Sequence, residues 1–393
     1  MNKKVMALAV AGVLTAPAAF AQSSNVQLYG RANLGLDYYS ATGASSQGAV
    51  PGDLIDYEGR MRVFDNSSRV GLRGTEDLGN GLKAIFQIET GVAIDSGQAQ
   101  GAGGIANASK GTWASRDSFV GLDSGFGRLT FGRQSIYWAN GELAQFAANY
   151  INNEVPWTNG TNLGRISGGG AVVARTSNVV QYTTPTFSGF NATLSYSPDA
   201  QETVQHNFSS DTDGRIYGVT VRGAFGPFHG QFDYVDLKGN SPLGVNALNP
   251  APATLTREYQ GYKAGIGWKY MPGANVSFIW VRNETNTALG VTAAPGGSVP
   301  EVDQNGYTIN WEHTFGNIQA LAQYGWLDSM KGCSVAGQCD NTKATAWMIG
   351  ARYLLSKRTW LYASYMTVDN KSNQFADFTA DSYTSVNPAT RTV

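Results

Sequence analysis

Charge is scarce in this chain: Asp, Glu, Lys and Arg together make up 15% of 393 residues, against about 25% in an ordinary soluble domain. The 28 basic and 29 acidic side chains nearly cancel, so no bulk positive field exists to hold nucleic acid. Histidine is rarer still, with His206, His229 and His313 alone. Hydrolytic chemistry on a serine needs a base beside the hydroxyl. None of the three histidines lies in a nucleophile motif, and neither H-E-x-x-H nor a phosphate-binding glycine loop occurs. No catalytic residue, metal or cofactor is expected. Past the N-terminus no apolar run reaches the roughly 18 residues of a membrane-spanning helix, because polar residues interrupt each run. Helical membrane proteins are thereby excluded.

The start of the chain reads as an export signal. Lys3 and Lys4 precede an apolar run from Val5 to Leu14, and Ala19-Phe20-Ala21 has the A-x-A form of a cleavage site. A leader over residues 1–21 and one domain over 22–393 are expected. Loss of Lys3 and Lys4 leaves 26 basic against 29 acidic side chains, a net charge of −3. Cys333 and Cys339 are the only cysteines. In an exported chain, in a short loop containing Gly and Ser, they are expected to form a disulfide; a metal site is the rival, with no histidine nearby.

What the chain has in abundance is alternation. Val26, Leu28, Gly30, Ala32, Leu34, Leu36 and Tyr38 share one face of an extended strand, and Gln27, Tyr29, Arg31, Asn33, Gly35 and Asp37 share the other. The period of two recurs around Phe228–Val235, Tyr262–Tyr270, Ile318–Trp326 and Trp347–Tyr353. Such strands exceed the five or six residues usual in globular sheets. Turn signals at Gly74 to Gly81, Asp123 to Gly127, Thr184 to Gly189, Gly223 to Pro227, Met271 to Asn275, Gly316–Asn317 and Ser356–Lys357 alternate with long polar segments. Counting between them gives fifteen complete strands and the opening of a sixteenth at Arg391–Val393.

Long two-faced strands with short turns at one rim and long loops at the other predict an all-β, 16-stranded antiparallel transmembrane β-barrel. Closure follows from the solvent. In hydrocarbon every backbone N–H and C=O must be paired within the protein, and an antiparallel sheet achieves this only by closing on itself. Sixteen strands leave room for an aqueous channel. Tyr38, Trp268, Tyr270 and Tyr353 are candidates for the interfacial aromatic girdles. A secreted β-sandwich is the competing architecture, and strand length and low charge count against it.

The segments SRVGLRGTEDLGNGLKAIFQIE (Ser68–Glu89), RDSFVGL (Arg116–Leu122) with FGRLTFGR (Phe126–Arg133), VVQYTTPTFSGF (Val179–Phe190) and YLLSKRTWLY (Tyr353–Tyr362) resemble the Gram-negative general porins of the betaproteobacterial and neisserial type. The resemblance implies a homotrimer in the outer membrane, insertion by the barrel-assembly machinery, and passive diffusion of ions and small hydrophilic solutes. It also implies that the third long loop, here residues 134–177, folds inward to narrow the lumen. Members of that family end in a terminal aromatic, whereas this chain ends at Arg391-Thr392-Val393, so the last strand is expected to be incomplete.

The resemblance places Arg69, Arg116 and Arg175 at the constriction, with Arg133 as a further basic candidate and Glu142 and Glu154 as the loop's acids. Parity supports Arg69: if Val70 and Leu72 face lipid, Arg69 and Arg73 face water. A basic eyelet concentrates anions whatever the net charge of the whole, and modest anion preference is expected. The arginines could instead pair with lumen acids such as Glu76 and Glu89 and set wall structure. A substrate-specific channel is the alternative function, with Tyr137, Trp138, Tyr150 and Trp157 as possible binding aromatics.

Overall fold

The computed structural model describes residues 25–47, 54–95, 113–136, 155, 157, 161, 175–198, 215–240, 256–285, 301–333, 336–374 and 376. Residues 1–21, where a leader is expected, and Glu142, Glu154, Tyr137, Trp138, Tyr150, His206, most of 134–177 and the C-terminal Arg391–Val393 lie outside the described residues.

The described elements are strands. In order they are β1 (Asn25–Arg31), β2 (Leu34–Gln47), β3 (Leu54–Asp65), β4 (Arg69–Gly79), β5 (Leu82–Gly91), β6 (Ser118–Ser124), β7 (Gly127–Ser135) and β8 (Arg175–Thr183). There follow β9 (Phe190–Ser197), β10 (Arg215–Phe225), β11 (Phe228–Asn240), β12 (Thr256–Met271) and β13 (Ala274–Thr285). The series ends with β14 (Val302–Phe315), β15 (Ile318–Leu327), β16 (Ala344–Leu354) and β17 (Trp360–Asn370). Fifteen form one sheet in the order β1, β4 and then β5 to β17 in sequence, while β2 and β3 pair as a separate ribbon. Since β1–β2 and β3–β4 are each one chain direction interrupted by a few residues, the fifteen complete strands expected from the sequence are present. The architecture is one continuous antiparallel sheet whose neighbours follow the chain order.

The interruption was not foreseen, because alternation runs through it unbroken: Leu28, Leu34 and Leu36 all face outward. Its cause is a side-chain network that captures the backbone. Asn33 N–H donates to Ser68 Oγ at 2.9 Å, Ser68 N–H donates to Asp65 Oδ1 at 2.8 Å, and Ser67 is held at φ 59°. Side chains that offer the backbone local partners compete with the ladder in this way.

The tight turns follow their residues. Asn80 and Gly81 both take positive φ, and Gly79 pairs with Leu82 around them; a two-residue hairpin of this hand needs Asn-Gly chemistry. The turn is therefore shorter than the expected Gly74–Gly81. Gly74 belongs to β4, where a Cβ would run into the Phe86 ring, so packing and not turning accounts for it.

The alternation resolves into two faces. Outward lie Phe228, Phe232, Ile266, Trp268, Ile318, Tyr324, Trp347 and Ile349, and inward lie His229, Gln231, Asp233, Lys263, Gln319 and Gln323. Glu76 shares the outward parity of Val70 and Leu72 and is exposed, so it is not a lumen acid. Several inward positions are apolar, notably Leu321, Leu327 and Met348, and these form a buried cluster with Val155 and Trp157 of the β7–β8 connection.

Candidate functional site

Arg69 opens β4 and points inward, pairing in the ladder with Arg31 on one side and Gly91 on the other. Its Nε lies 3.7 Å from Glu89 Oε2. The β5–β6 ladder stops at Gln87–Phe119, and beyond it side chains complete the pairing. Glu89 N–H donates to Ser118 Oγ at 3.0 Å, and Arg116 N–H donates to the Glu89 carbonyl at 3.0 Å. That opening admits the Arg116 side chain, whose Nε donates to Glu89 Oε1 at 2.5 Å. Tyr29 donates to the other oxygen at 3.0 Å, so a single carboxylate holds two guanidiniums and a phenol.

Arg175 opens β8 and donates to Asp117 Oδ2 at 3.0 Å. Asp117 also accepts from the Ser135 N–H at 2.8 Å and its hydroxyl at 3.0 Å. Both Arg116 and Asp117 lie in the connection just before β6, outside the strands. Burial, then the Arg175 guanidinium, lowers Arg116 from the ordinary arginine range, with Glu89 opposing. For Asp117, burial pushes upward, but Arg175 and the Ser135 donors outweigh it and hold the carboxyl below its ordinary value.

Arg133 arrives by a different route. The β7–β8 ladder jumps from Gly132–Val179 to Gln134–Thr176, and Gly132 and Asn178 both take positive φ. The extra residue lies on β8, so β7 keeps its alternation: Thr130 and Gln134 share one face, and Arg133 has the parity of Phe131. Arg133 donates to the Ser115 carbonyl at 3.2 Å and Ser177 Oγ at 2.9 Å. The wall from β4 to β8 thus sets Arg69, Arg116 and Arg175 against Glu89 and Asp117, an excess of positive charge among the described residues, with Arg31 and Arg133 alongside. Arg31, Asp117 and Tyr29 were not singled out from the sequence. Tyr29 and Arg31 carry the inward parity of β1, which could have flagged them; Asp117 sits outside any strand and has no parity to read.

On the far side of the sheet order the β7–β8 connection meets the wall. Val155 N–H donates to Gln323 Oε1 at 3.0 Å, Trp157 Nε1 donates to the Tyr307 carbonyl at 3.0 Å, and Thr161 N–H donates to Asn283 Oδ1 at 2.6 Å. Val155 and Trp157 are 0% and 1% exposed. Burying a tryptophan covers roughly 200 Å², worth about 5 kcal/mol before ordering costs. Inward-facing Leu321, Leu327 and Met348 were the sequence signal for this contact, since apolar groups do not belong against water.

Elsewhere, Cys333 and Cys339 form a disulfide in the β15–β16 connection, packed with Val302 and Met330. His229 is buried on the inner face. His313 faces outward, where Tyr270 and His313 Nδ1 are hydrogen-bonded at 2.9 Å and its ring stacks on Phe315.

A family model described as Gram-negative porin matches residues 7–373. An outer membrane porin protein of Bordetella pertussis is 26% identical over 392 residues, spanning 92% of this chain and 93% of its own. The major outer membrane protein P.IB of Neisseria gonorrhoeae is 26% identical over 365 residues, spanning 91% of each. Among solved structures, the anion-selective porin from Comamonas acidovorans aligns with a TM-score of 0.65 at 25% identity, covering 89% of this chain and 90% of that one.

Proposed function

The chain belongs to the Gram-negative porin family and forms a pore in the outer membrane, and on that premise we propose that it conducts small hydrophilic solutes and ions passively, with a modest preference for anions. The observation that carries the preference is the inward cluster of Arg69, Arg116 and Arg175 around Glu89 and Asp117. Guanidiniums outnumber carboxylates there, and a site walled by low-dielectric protein focuses their field on whatever passes. Arg133 lies next to this cluster through Ser115 and Ser177, and Glu142 and Glu154 lie outside the described residues. The similarity to the anion-selective porin from Comamonas acidovorans supports the same sign. The pore is a channel and not an enzyme.

The working unit in this proposal is a homotrimer. The outward face of β1, β4 and β6 is aliphatic, with Val26, Leu28, Val70, Leu72, Val120 and Leu122 exposed. From β9 to β14 the short-turn end carries Phe190, Phe225, Phe228 and Trp268 in successive ring contacts, with Trp311 and Phe315 beyond. Aromatic residues gather at a lipid–water boundary. An aliphatic wall fits a second copy of the chain, and the aromatic wall fits lipid.

The specific-channel alternative loses one of its aromatics, because Trp157 is turned into the wall. Swelling of protein-loaded liposomes tests the proposal. Small anionic solutes should enter faster than cations of equal size, and no solute should saturate the flux. Saturation by one solute class would favour the specific channel.

A further inference from the structure

We propose that Trp157 is a positioning residue of the pore: its seat in the inner wall fixes the β7–β8 connection opposite the arginine cluster and so sets both the open cross-section and the anion preference. This rests on the pore reading above. In the sheet order, β7 is the fifth strand and β15 the thirteenth, eight apart, which places them on opposing walls of a sixteen-stranded barrel.

The seat is shaped for the ring. Gly325 pairs with Thr308 and Ala346, and Gly306 pairs with Leu327, itself paired with Ala344. Glycine and alanine thus fill neighbouring inward positions between glutamines and asparagines. A Cβ on Gly325 would come within 2.7 Å of Trp157 Nε1 and 2.7 Å of Val155 Cγ1, and one on Gly306 within 3.1 Å of Trp157 Cδ1. Neither glycine takes a positive φ, so packing accounts for them: the ring, Val155 and the Tyr307 carbonyl at Gly325, and Leu327 and Val281 as well as the ring at Gly306.

The polar contacts fix the segment in register. The Gln323 amide that accepts from Val155 donates from its nitrogen to Asn310 Oδ1 at 2.7 Å, and Asn310 donates to Ser277 Oγ at 3.1 Å. This relay crosses three strands and determines which end of the Gln323 amide faces Val155. Thr161 is held by Asn283 through both its N–H and its hydroxyl. Anchors on β13, β14 and β15 within seven residues are more than covering a greasy patch requires. They hold one chain segment at one place in the lumen.

Single-channel recording in a KCl gradient tests this with wild type, Trp157→Ala, Gly325→Ala, Trp157→Phe and the Trp157→Ala/Gly325→Ala double. One alanine removes the ring and the other fills its seat while leaving the loop sequence intact. Each single variant should broaden the open-channel current distribution, with the occupancy of altered levels rising about tenfold or more, since each 1.4 kcal/mol of lost docking is a factor of ten. Reversal potentials should move toward zero. The double should go no further than either single, because both break one contact, and Trp157→Phe should fall between. Heat-modifiable gel mobility reports assembly; should Trp157→Ala fail to assemble, Trp157→Phe and Gly325→Ala carry the same reading. Assembled variants with wild-type currents and reversal potentials, altered only in thermal midpoint, would make Trp157 a brace and overturn the proposal. A silent wild type would remove the pore reading itself, whereas a conducting wild type with unmoved variants removes only the role of Trp157.

Discussion

Arg31 and Arg69 are direct partners in the β1–β4 ladder, yet their guanidiniums turn apart, Arg31 donating to the Asn66 carbonyl at 2.6 Å and Arg69 lying 3.7 Å from Glu89. Like charges directly opposite destabilise a sheet, and the divergence offsets that cost. Glu89 is the carboxylate that faces Arg69, and it also receives Arg116 and Tyr29.

Glu89→Gln follows from that geometry. Removing the carboxylate leaves both arginines less compensated, so anion preference should rise. Losing the partner of a guanidinium only 16% exposed should lower stability by on the order of 1–3 kcal/mol. Reversal potential and the thermal midpoint in detergent measure the two effects, and a fall in anion preference would contradict the assignment.

Arg69→Gln combined with Arg175→Gln works in the opposite direction. Each removes one positive charge facing a different carboxylate, and the double should reduce anion preference or bring the pore close to neutral selectivity. An unchanged reversal potential in the assembled double variant would assign these arginines to wall structure alone.

The pH dependence has a definite sign. Because the Asp117 carboxyl is held below its ordinary value, its contribution to stability is present at and above the ordinary carboxylate pKa and is lost as pH falls below it. In the same acid range the pore loses a negative charge beside Arg175, so anion preference should increase. Neutralising Asp117 with Asp117→Asn should abolish that part of the acid-side increase in a titration of reversal potential.

The Cys333–Cys339 disulfide staples a connection that packs on Val302 and Met330, among elements distinct from those that carry the arginines. Reduction should leave conductance and selectivity unchanged while making the β15–β16 connection more readily cleaved by protease. A shift in reversal potential on reduction would tie that connection to the filter.

Much of this was legible in the chain because a sheet wet on one face and lipid-facing on the other writes its two environments at a period of two. Leu28 and Leu36 outward, and Gln319 and Gln323 inward, are read directly. Legibility failed where the period carries no information. The break at Asn33 and Ser68 leaves the alternation intact, Asp117 lies outside a strand, and the β8 residues opposite Arg133 carry an extra residue that shifts the register. The docking of Trp157 was written in the sequence in another form, as Leu321 and Met348 at positions that should be polar.

The central claim is that inward arginines set the sign of selectivity. Planar-bilayer recording of the wild-type protein under a KCl gradient tests it most directly. An anion-directed reversal potential, carried by steps that appear in threes, is the result expected. Steps of the same kind with a cation-directed potential would leave the pore standing and contradict the arginine account.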